Sequence, residues 1–333
     1  MHTVKAIFSD LDGTLCHFDR DTSKHGVVTT EEEGGGYAKV FNAEGDERRC
    51  RLLPTSTMGN GVVSRETADL VSKLRAAGVK FVVVSGARNT TILKRIPLLP
   101  HVDAAVSETG SRIMYAPVGG SAFVPEKDAD PSLMSLDADW AARFEHITGP
   151  LSSTLPAEER EGTLWDLFRE LKAMGLKVDA NGYTGCFRVD CKTPQHVEMI
   201  TRVAGDAEGL AKRELGHAMN LGKYDFFPAM AGKGNTVKYL QEKWGLKKEE
   251  CVALFDDDND LPMAEACGAG MLPSVTSNSV RARLGSEPDW ILAERAGTGV
   301  FATEELLERI LKQVQEASGV GDEACRTGGG IQF

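Results

Sequence analysis

The 333-residue sequence predicts an α/β protein with a Rossmann-like core, whose parallel sheet is interrupted by a β-hairpin insertion and by a larger α+β insertion. Three observations lead to this fold class. A continuous apolar run, typical of a strand buried on both faces, directly follows an amphipathic helix. The same alternation of helix and strand returns late in the chain, and the long stretch between has its own helices and strands. We therefore expect one core domain built from both ends of the chain, with a second domain inserted into it.

The first half of the predicted core begins with a short buried strand at Ala6–Phe8. A helix over 63–78 carries its apolar residues on one face, with Ser64 suited to cap its first turn and Gly78 suited to end it. The apolar run Val79–Val84 then forms the next strand. The order strand, helix, strand indicates parallel pairing, because parallel neighbours need a crossover connection.

The second half of the core is predicted from four segments near the C-terminal end. In chain order they are a helix at Thr236–Trp244, a strand at Cys251–Phe255, a helix at Pro262–Cys267 and a short strand at Met271–Leu272. Because they repeat the alternation of the first half, both halves are expected to share one sheet. The core is therefore assigned to residues 1–115 and 221–316.

Two insertions and a tail complete the predicted domains. Residues 16–61 contain two strand-like runs on either side of Glu44–Asp46, a hairpin pattern that we interpret as a flap or an assembly surface. Residues 116–220 are predicted to form a separate α+β cap domain. Its predicted elements are helices at Asp137–Ile147, Gly162–Met174 and Gln195–Ala207 and a strand at Cys186–Asp190. Residues 317–333 are Gly-rich without apolar periodicity, which predicts a disordered tail.

The composition limits the partners. A formal net charge of −11 argues against nucleic acid or an anionic membrane as the main partner, since either would require a basic face. The seven cysteines include no CxxC pair and indicate neither a disulfide framework nor a zinc site, which suggests a reducing compartment. We find no apolar signal segment and no apolar run of membrane-spanning length. We expect a soluble cytoplasmic protein, and the sequence gives no indication of its oligomeric state.

Acidic and polar residues stand at the ends of the predicted core strands. In parallel sheets of this kind, ligands bind outside the carboxyl ends of the strands, so these residues are expected to meet in one crevice. The first strand is followed by Asp10 and Asp12, the second by Ser85 and Gly86, and the late strand by Asp256, while Lys233 precedes the late helix. Two acids at the end of one strand repel each other unless a cation, a shared proton or a substrate offsets the repulsion. A solvated acidic turn is the alternative to a functional site.

Such a crevice suits a hard cation with oxygen ligands, and Mg²⁺ is the expected one because it is usually held by one or two carboxylates together with substrate phosphate. Asp10 could attack phosphorus once Mg²⁺ and Lys233 reduce the repulsion between two anions. Asp12 could give a proton to the leaving oxygen and later take one from water. The Ser85 hydroxyl and the Gly86 amide are suited to hold phosphoryl oxygens.

The ordered motifs resemble those of the haloacid dehalogenase superfamily of phosphatases. The DxDGT segment is followed by Ser85, then by Lys233, then by the DDxxND segment, and together they span about two thirds of the chain. The insertion between Ser85 and Lys233 resembles the large cap of the Cof-type and sucrose-phosphate phosphatase branch, and YDFFPAMAGKGNTVKYL is similar to that branch's junction of cap and core.

This resemblance implies a role for each matched residue. It implies Asp10 as the nucleophile, Asp12 as the acid and base, and Lys233 as a phosphate ligand. Mg²⁺ would be held by the Asp10 side chain, the Asp12 carbonyl and Asp256. Supporting positions would be filled by Thr14, Asn259 and Asp260.

The sequence departs from the family pattern in three places. Phe255 stands where the family usually has Gly, and the segment SGAR replaces the usual TGR, so that Arg88 is displaced by one position as a substrate residue. The long insertion after Leu15 is unusual for the branch and resembles the mannitol-1-phosphatases of brown algae. Within the cap, Asn181, Arg188 and Lys223 are the candidates for contacts with sugar hydroxyls.

The expected activity is hydrolysis of a small phosphorylated sugar or sugar alcohol, with mannitol 1-phosphate as the first candidate and sucrose 6-phosphate or another hexose phosphate next. Two alternatives remain open, which are a phosphotransferase of the phosphomannomutase type and a catalytically silent sugar-phosphate binding protein. A true dehalogenase is disfavoured, because it releases no alkoxide and would not need Asp12.

Overall fold

The computed structural model describes residues 3–53, 59–116, 134–220 and 222–318, and three sheets organise them. The strands in chain order are β1 (Ala6–Ser9), β2 (His17–Phe18), β3 (Val28–Glu31), β4 (Tyr37–Phe41), β5 (Glu47–Leu53), β6 (Gly61–Ser64), β7 (Lys80–Val84), β8 (Ala104–Ser107), β9 (Arg112–Tyr115), β10 (Ser135–Leu136), β11 (Lys177–Asp179), β12 (Phe187–Asp190), β13 (Leu215–Asn220), β14 (Lys223–Pro228), β15 (Cys251–Leu254), β16 (Ala269–Leu272) and β17 (Trp290–Leu292).

Helices surround these sheets. In chain order they are α1 (Asp19–Thr22), α2 (Arg65–Ala76), α3 (Asn89–Arg95), α4 (Ala138–Ala142), α5 (Glu145–Thr148), α6 (Thr163–Ala173), α7 (Pro194–Gly205), α8 (Ala207–Lys212), α9 (Lys233–Trp244), α10 (Leu261–Ala266), α11 (Asn278–Leu284) and α12 (Val300–Ala317). Within the described ranges, none of the helices combines the length and the apolar character needed to span a bilayer.

The central sheet confirms the predicted α/β fold class. Its eight strands follow the order β10, β9, β8, β7, β1, β15, β16, β17. The six strands from β8 to β17 pair in parallel, whereas β9 and β10 add an antiparallel edge. Strand β1 lies between β7 and β15, so that Ile7 pairs with Phe81 on one side and Val252 on the other. Residues from both ends of the chain therefore build one sheet, as the sequence predicts.

Most predicted core elements are present with small shifts at their ends. Ser64 caps α2, where its side chain accepts a hydrogen bond from the amide of Thr67, and Gly78 follows that helix with a φ of +87°. Helix α9 begins at Lys233, three residues before the predicted start. The prediction omitted α12, although its apolar residues recur at helical spacing and nearly all are buried against the core.

The second sheet is built from residues 17–64 in the antiparallel order β2, β6, β5, β4, β3. The predicted hairpin around Glu44–Asp46 is present as β4 and β5, with Phe41 paired to Glu47. The hairpin is part of a five-stranded sheet whose buried side, including Val40 and Cys50, packs against Phe301 of α12. A role for this insertion as a flap or assembly surface stays a prediction.

The third sheet is antiparallel, in the order β11, β12, β14, β13, and helices α6, α7 and α8 belong to the same part of the chain. The predicted helix at Asp137–Ile147 is two short helices, α4 and α5, because the residues between them leave helical geometry at Phe144. Strand β14 begins at Lys223, after the predicted end of the cap at residue 220, and belongs to this sheet. The predicted cap boundaries at 116 and 220 stay predictions. The predicted disordered tail lies outside the described residues, apart from Ala317 and Ser318.

Candidate active site

The predicted strand-end residues meet at one cavity of about 770 Å³. Asp10 directly follows β1, Ser85 follows β7, Asp256 follows β15 by one residue, and Lys233 begins α9. The carboxyl ends of neighbouring parallel strands lie at the same edge of a sheet, which brings these side chains together. Of the predicted core site residues, those that line the cavity are Asp10, Asp12, Ser85, Gly86, Arg88, Lys233, Asp256 and Asn259.

Lys233 is a buried cation held between two carboxylates. Its Nζ lies 2.6 Å from Asp10 Oδ1 and 2.5 Å from Asp260 Oδ1, and its side chain is 1% exposed. Burial by itself lowers the pKa of Lys233, but the charges of Asp10 and Asp260 outweigh this effect and hold the pKa above its usual range. Lys233 therefore carries a positive charge in the site at neutral pH.

Three carboxylates crowd the same space. One oxygen each of Asp10, Asp256 and Asp260 lies within 4.8 Å of the others, and all three residues are buried. Burial, followed by the charge of Asp260, raises the pKa of Asp10 to about 7, against the opposing effect of Lys233. Burial and the charge of Asp10 also raise the pKa of Asp256 well above its usual range. This arrangement favours a bound divalent cation, which would relieve the repulsion between the carboxylates.

Asp256 is fixed by hydroxyl groups and by a close glycine. Thr14 Oγ1 donates to Asp256 Oδ1 at 2.7 Å, and Thr276 Oγ1 donates to Asp256 Oδ2 at 3.2 Å. Gly13 has a φ of +100°, and a Cβ atom there would lie 2.7 Å from Asp256 Oδ2. Glycine at this position therefore permits both the turn after β1 and the close approach of the carboxylate. The supporting role that the resemblance implies for Thr14 stays a prediction.

Asp12 forms an ion pair with a different cation, Arg95. Arg95 Nη1 donates to Asp12 Oδ1 at 2.7 Å. Arg95 is the last residue of α3 and lines the cavity, although the sequence analysis did not single it out. Spacing along the chain contains no signal for this contact, because 83 residues separate the partners.

The loop after β7 lies beneath the cap. Ser85 Oγ accepts a hydrogen bond from the amide of Ala87 at 3.0 Å. A Cβ atom on Gly86 would lie 2.3 Å from Nδ2 of Asn220, at the end of β13. Glycine at this position leaves room for the side chain of Asn220 beside the loop. Asn220 also lines the cavity and was not predicted.

The cap candidates differ in their placement. Arg188 and Lys223 line the cavity, whereas Asn181 is not among the lining residues. The guanidinium of Arg188 is paired with Asp225 through its Nε and Nη2 atoms. The backbone amide of Asn181 donates to Asp179 Oδ1 at 2.9 Å.

Arg88, which the sequence places after the second core strand, reaches from the core to the cap. It forms an ion pair with Asp179, and its guanidinium carbon lies 5.1 Å from the centre of the Tyr183 ring. Asp179 and Tyr183 both line the cavity. The contacts of Arg88 therefore join core and cap at the cavity wall.

The N-terminal insertion provides a further wall that the sequence analysis did not assign to the site. Residues from β2, α1 and the following turn line the cavity, and they include His17, Arg20, Asp21, Lys24 and His25. Their position in the sequence, shortly after Asp12 and Leu15, could have indicated this placement, because a segment that follows the end of β1 begins beside the crevice.

Comparison with known proteins agrees with this geometry. Residues 215–279 match the model of a family described as haloacid dehalogenase-like hydrolase. The matched segment contains Lys233, Asp256, Asn259 and Asp260. Among curated proteins, no significant match is found.

Solved structures share the fold over nearly the whole chain. The sucrose-phosphatase of Synechocystis sp. PCC6803, in complex with sucrose and phosphate, is 14% identical with a TM-score of 0.56, and the match covers 94% of this chain and 98% of that one. A haloacid dehalogenase-like hydrolase from Bacillus subtilis is 13% identical with a TM-score of 0.54, covering 92% and 99%. A phosphatase of the haloalkanoate enzyme superfamily from Bacteroides thetaiotaomicron is 16% identical with a TM-score of 0.51, covering 93% and 95%.

Over residues 215–279 the chain is thus similar to the haloacid dehalogenase-like hydrolases. The solved structures named above, each less than 25% identical, show the shared fold, and the family match supports a hydrolase.

Proposed function

We propose that the protein is a Mg²⁺-dependent phosphatase that hydrolyses a small sugar or sugar-alcohol phosphate through an aspartyl-phosphate on Asp10. The observation that carries this proposal is the contact of the buried Lys233 with Asp10 at the end of β1. A fixed cation beside a carboxylate offsets the repulsion that the carboxylate would meet from a phosphoryl group.

The residues present fit a magnesium ion. The donors at the cluster are carboxylate oxygens, which Mg²⁺ prefers. Burial, and after it the charges of neighbouring carboxylates, raises the pKa of Asp10 and of Asp256, and a bound cation would offset both effects. The Asp10 and Asp256 side chains and the Asp12 carbonyl would hold the ion, with Asp260 close enough to support them. When bound, Mg²⁺ would neutralise charge on the phosphoryl oxygens and so lower the barrier to attack.

In the first half of the reaction, Asp10 attacks phosphorus while Asp12 protonates the leaving oxygen. The Ser85 hydroxyl, the Gly86 amide and Lys233 bind the phosphoryl oxygens. In the second half, Asp12 takes a proton from water, the water oxygen attacks phosphorus, and the bond to Asp10 breaks. The products are the free alcohol and inorganic phosphate, and Asp12 holds a proton again.

We place substrate selection in the cap and in the first insertion. The cavity is lined by Arg188, Lys223 and Asn220 from the cap and by Arg20 and Lys24 from the insertion, which are the residues we expect to contact the sugar. Mannitol 1-phosphate is our first candidate. The sucrose-phosphatase with the same fold makes sucrose 6-phosphate the next substrate to test. A cytoplasmic location also remains a prediction.

The proposal is tested by incubating the purified protein with a panel of phosphorylated sugars, sugar alcohols and other metabolites, with Mg²⁺ and without it, and measuring free phosphate. We expect Mg²⁺-dependent release from a sugar or sugar-alcohol phosphate without a bisphosphate activator. Release that depends on such an activator, with the phosphoryl group recovered on a second sugar, would indicate a phosphotransferase instead. Binding without turnover would indicate a silent binding protein.

A further inference from the structure

We propose that Arg95 is the positioning residue for the carboxylate of Asp12, an inference that rests on the proposed phosphatase function. Arg95 ends α3, the helix after the Ser85 loop, and its side chain is 1% exposed. The side chain of Asp12 is 23% exposed and lines the cavity. The ion pair at 2.7 Å thus joins a buried cation to a carboxylate that substrate can reach.

Each acid of the DxD segment has a cation of its own. Asp10 pairs with Lys233 from α9, and Asp12 pairs with Arg95 from α3. The two cations approach from separate helices, so each carboxylate is held by a different element. This arrangement offsets the repulsion between two acids that have one residue between them, and it holds each carboxylate in a fixed position.

Burial makes the Arg95 contact specific. A guanidinium removed from water is costly unless an anion and hydrogen bonds compensate for its lost hydration. Because the Asp12 carboxylate compensates for this lost hydration, Arg95 keeps its contact with Asp12. The contact in turn limits the rotation of the Asp12 side chain. Asp12 Oδ1 accepts a hydrogen bond from Arg95 Nη1, whereas Asp12 Oδ2 has no hydrogen-bond partner among the described residues. Oδ2 is therefore the oxygen that is available to the leaving group.

The proton balance of the reaction follows from this assignment. As the bond from Asp10 to phosphorus forms and the bond from phosphorus to the leaving oxygen breaks, the proton on Asp12 Oδ2 moves to the leaving oxygen. Water later returns a proton to Oδ2 while its oxygen bonds to phosphorus and the Asp10 ester breaks. Arg95 stays charged throughout and moves no proton, so its contribution is the orientation of Asp12.

The test compares two esters of similar size that differ in their need for a proton. Phenyl phosphate releases a basic phenolate, whereas 4-nitrophenyl phosphate releases a much less basic one. Replacing Arg95 by Met removes the charge and keeps an apolar stem. We expect Arg95→Met to lower kcat/KM for phenyl phosphate at least about tenfold more than for 4-nitrophenyl phosphate, because general acid catalysis typically contributes a factor of 10² to 10⁴.

A double-mutant cycle separates orientation of the acid from general damage. Asp12→Asn should show the same selective loss with phenyl phosphate, and adding Arg95→Met to Asp12→Asn should not increase the selectivity further. Arg75→Met is the matched control, because it breaks the ion pair with Asp103 at 3.0 Å outside the cavity. It should affect both esters equally.

An equal loss for both esters in a folded Arg95→Met protein would overturn the inference. If that variant does not fold, Arg95→Lys carries the test, since it keeps the charge but loses the planar guanidinium, and an equal loss there would be equally decisive. A wild-type protein that hydrolyses neither ester nor any phosphate of the panel would overturn the proposed function together with this inference.

Discussion

Arg188 and Asp225 are direct neighbours on adjacent strands β12 and β14, where Arg188 Nε lies 2.6 Å from Asp225 Oδ1 and Arg188 Nη2 lies 2.7 Å from Asp225 Oδ2. Asp225 is fully buried and also accepts a hydrogen bond from Asn220 at 3.2 Å. The pair fixes the plane of the guanidinium in the cavity wall. The remaining nitrogen, Nη1, makes no hydrogen bond to the residues that the structure describes, so it is available to substrate.

The first prediction concerns substrate choice. Replacing Arg188 by Ala should lower kcat/KM for the best sugar phosphate by roughly tenfold or more relative to 4-nitrophenyl phosphate, because the aryl ester has no hydroxyl groups for the arginine to bind. It should also reduce the free energy of unfolding by about 3 to 5 kcal/mol, since Asp225 would remain buried without its cation.

The matched control for this prediction is Arg213→Ala, which breaks a bidentate pair with the exposed Glu170 elsewhere on the cap. It should alter neither the substrate ratio nor the stability by a comparable amount. An unchanged ratio in Arg188→Ala, in protein shown to be folded, would remove Arg188 from the specificity residues.

The second prediction concerns the nucleophile. Asp10→Asn should abolish turnover, because an amide cannot form the phosphoryl ester. The protein should stay folded, since Lys233 keeps its contact with Asp260. Phosphate release and far-ultraviolet circular dichroism measure the two outcomes. Ordinary turnover in the folded variant would exclude the covalent route.

The third prediction links metal binding to pH. The pKa of Asp10 is raised to about 7 mainly by burial, and a metal ion requires the charged carboxylate. Asp256, the other proposed carboxylate ligand, also has a raised pKa. Protons therefore compete with Mg²⁺ at both carboxylates, and affinity should rise by at least about tenfold per pH unit up to about pH 7.

Calorimetric titration of Mg²⁺ between pH 5.5 and 8, in buffers of different ionisation enthalpy, measures both affinity and proton release. Asp256→Ala should remove most of the binding and with it the proton release. Affinity that stays constant from pH 5.5 to 7.5 would contradict the link between Asp10 and the metal.

The fourth prediction concerns the pH dependence of stability. His17 is buried, with Nε2 2.8 Å from Thr303 Oγ1, and burial lowers its pKa to about 4. In the unfolded chain a histidine has a pKa of about 6.5, so between these values the unfolded state binds a proton that the folded state does not. The stability from neutral His17 is therefore complete above about pH 6.5 and is lost as pH falls toward 4, by about 3 kcal/mol.

Denaturant unfolding of the wild type and of His17→Gln at several pH values measures this contribution, because the shared effects of Asp10 and Asp256 cancel in the difference between the two proteins. The advantage of the wild type should shrink as pH falls from 7 to 4. His146→Gln, which removes an exposed histidine, is the control. A constant difference for His17→Gln would refute the prediction.

The strand-end residues could be predicted because they depend on a rule of parallel sheets. Asp10, Ser85 and Asp256 each follow an apolar strand, and parallel pairing by itself brings such positions to one edge. Their contacts with Arg95 and Asn220 could not be predicted, because these depend on how a helix end and a cap strand are packed in three dimensions. The pairing of Arg188 with Asp225 depends on the register between β12 and β14, which is set across 37 residues and leaves no local pattern.

The pairing of β1 with β15 also has a consequence for synthesis of the protein. Ala6 pairs with Cys251, so a ribosome releases the first strand of the sheet long before its neighbour exists. Until that point the apolar face of β1 has only β7 beside it, and non-local strand pairing of this kind is slow and exposes intermediates to aggregation. We expect ribosome-bound chains that end before Leu254 to be protease-sensitive and the released chain to resist digestion, which pulse proteolysis of stalled ribosome complexes and of the released protein would measure.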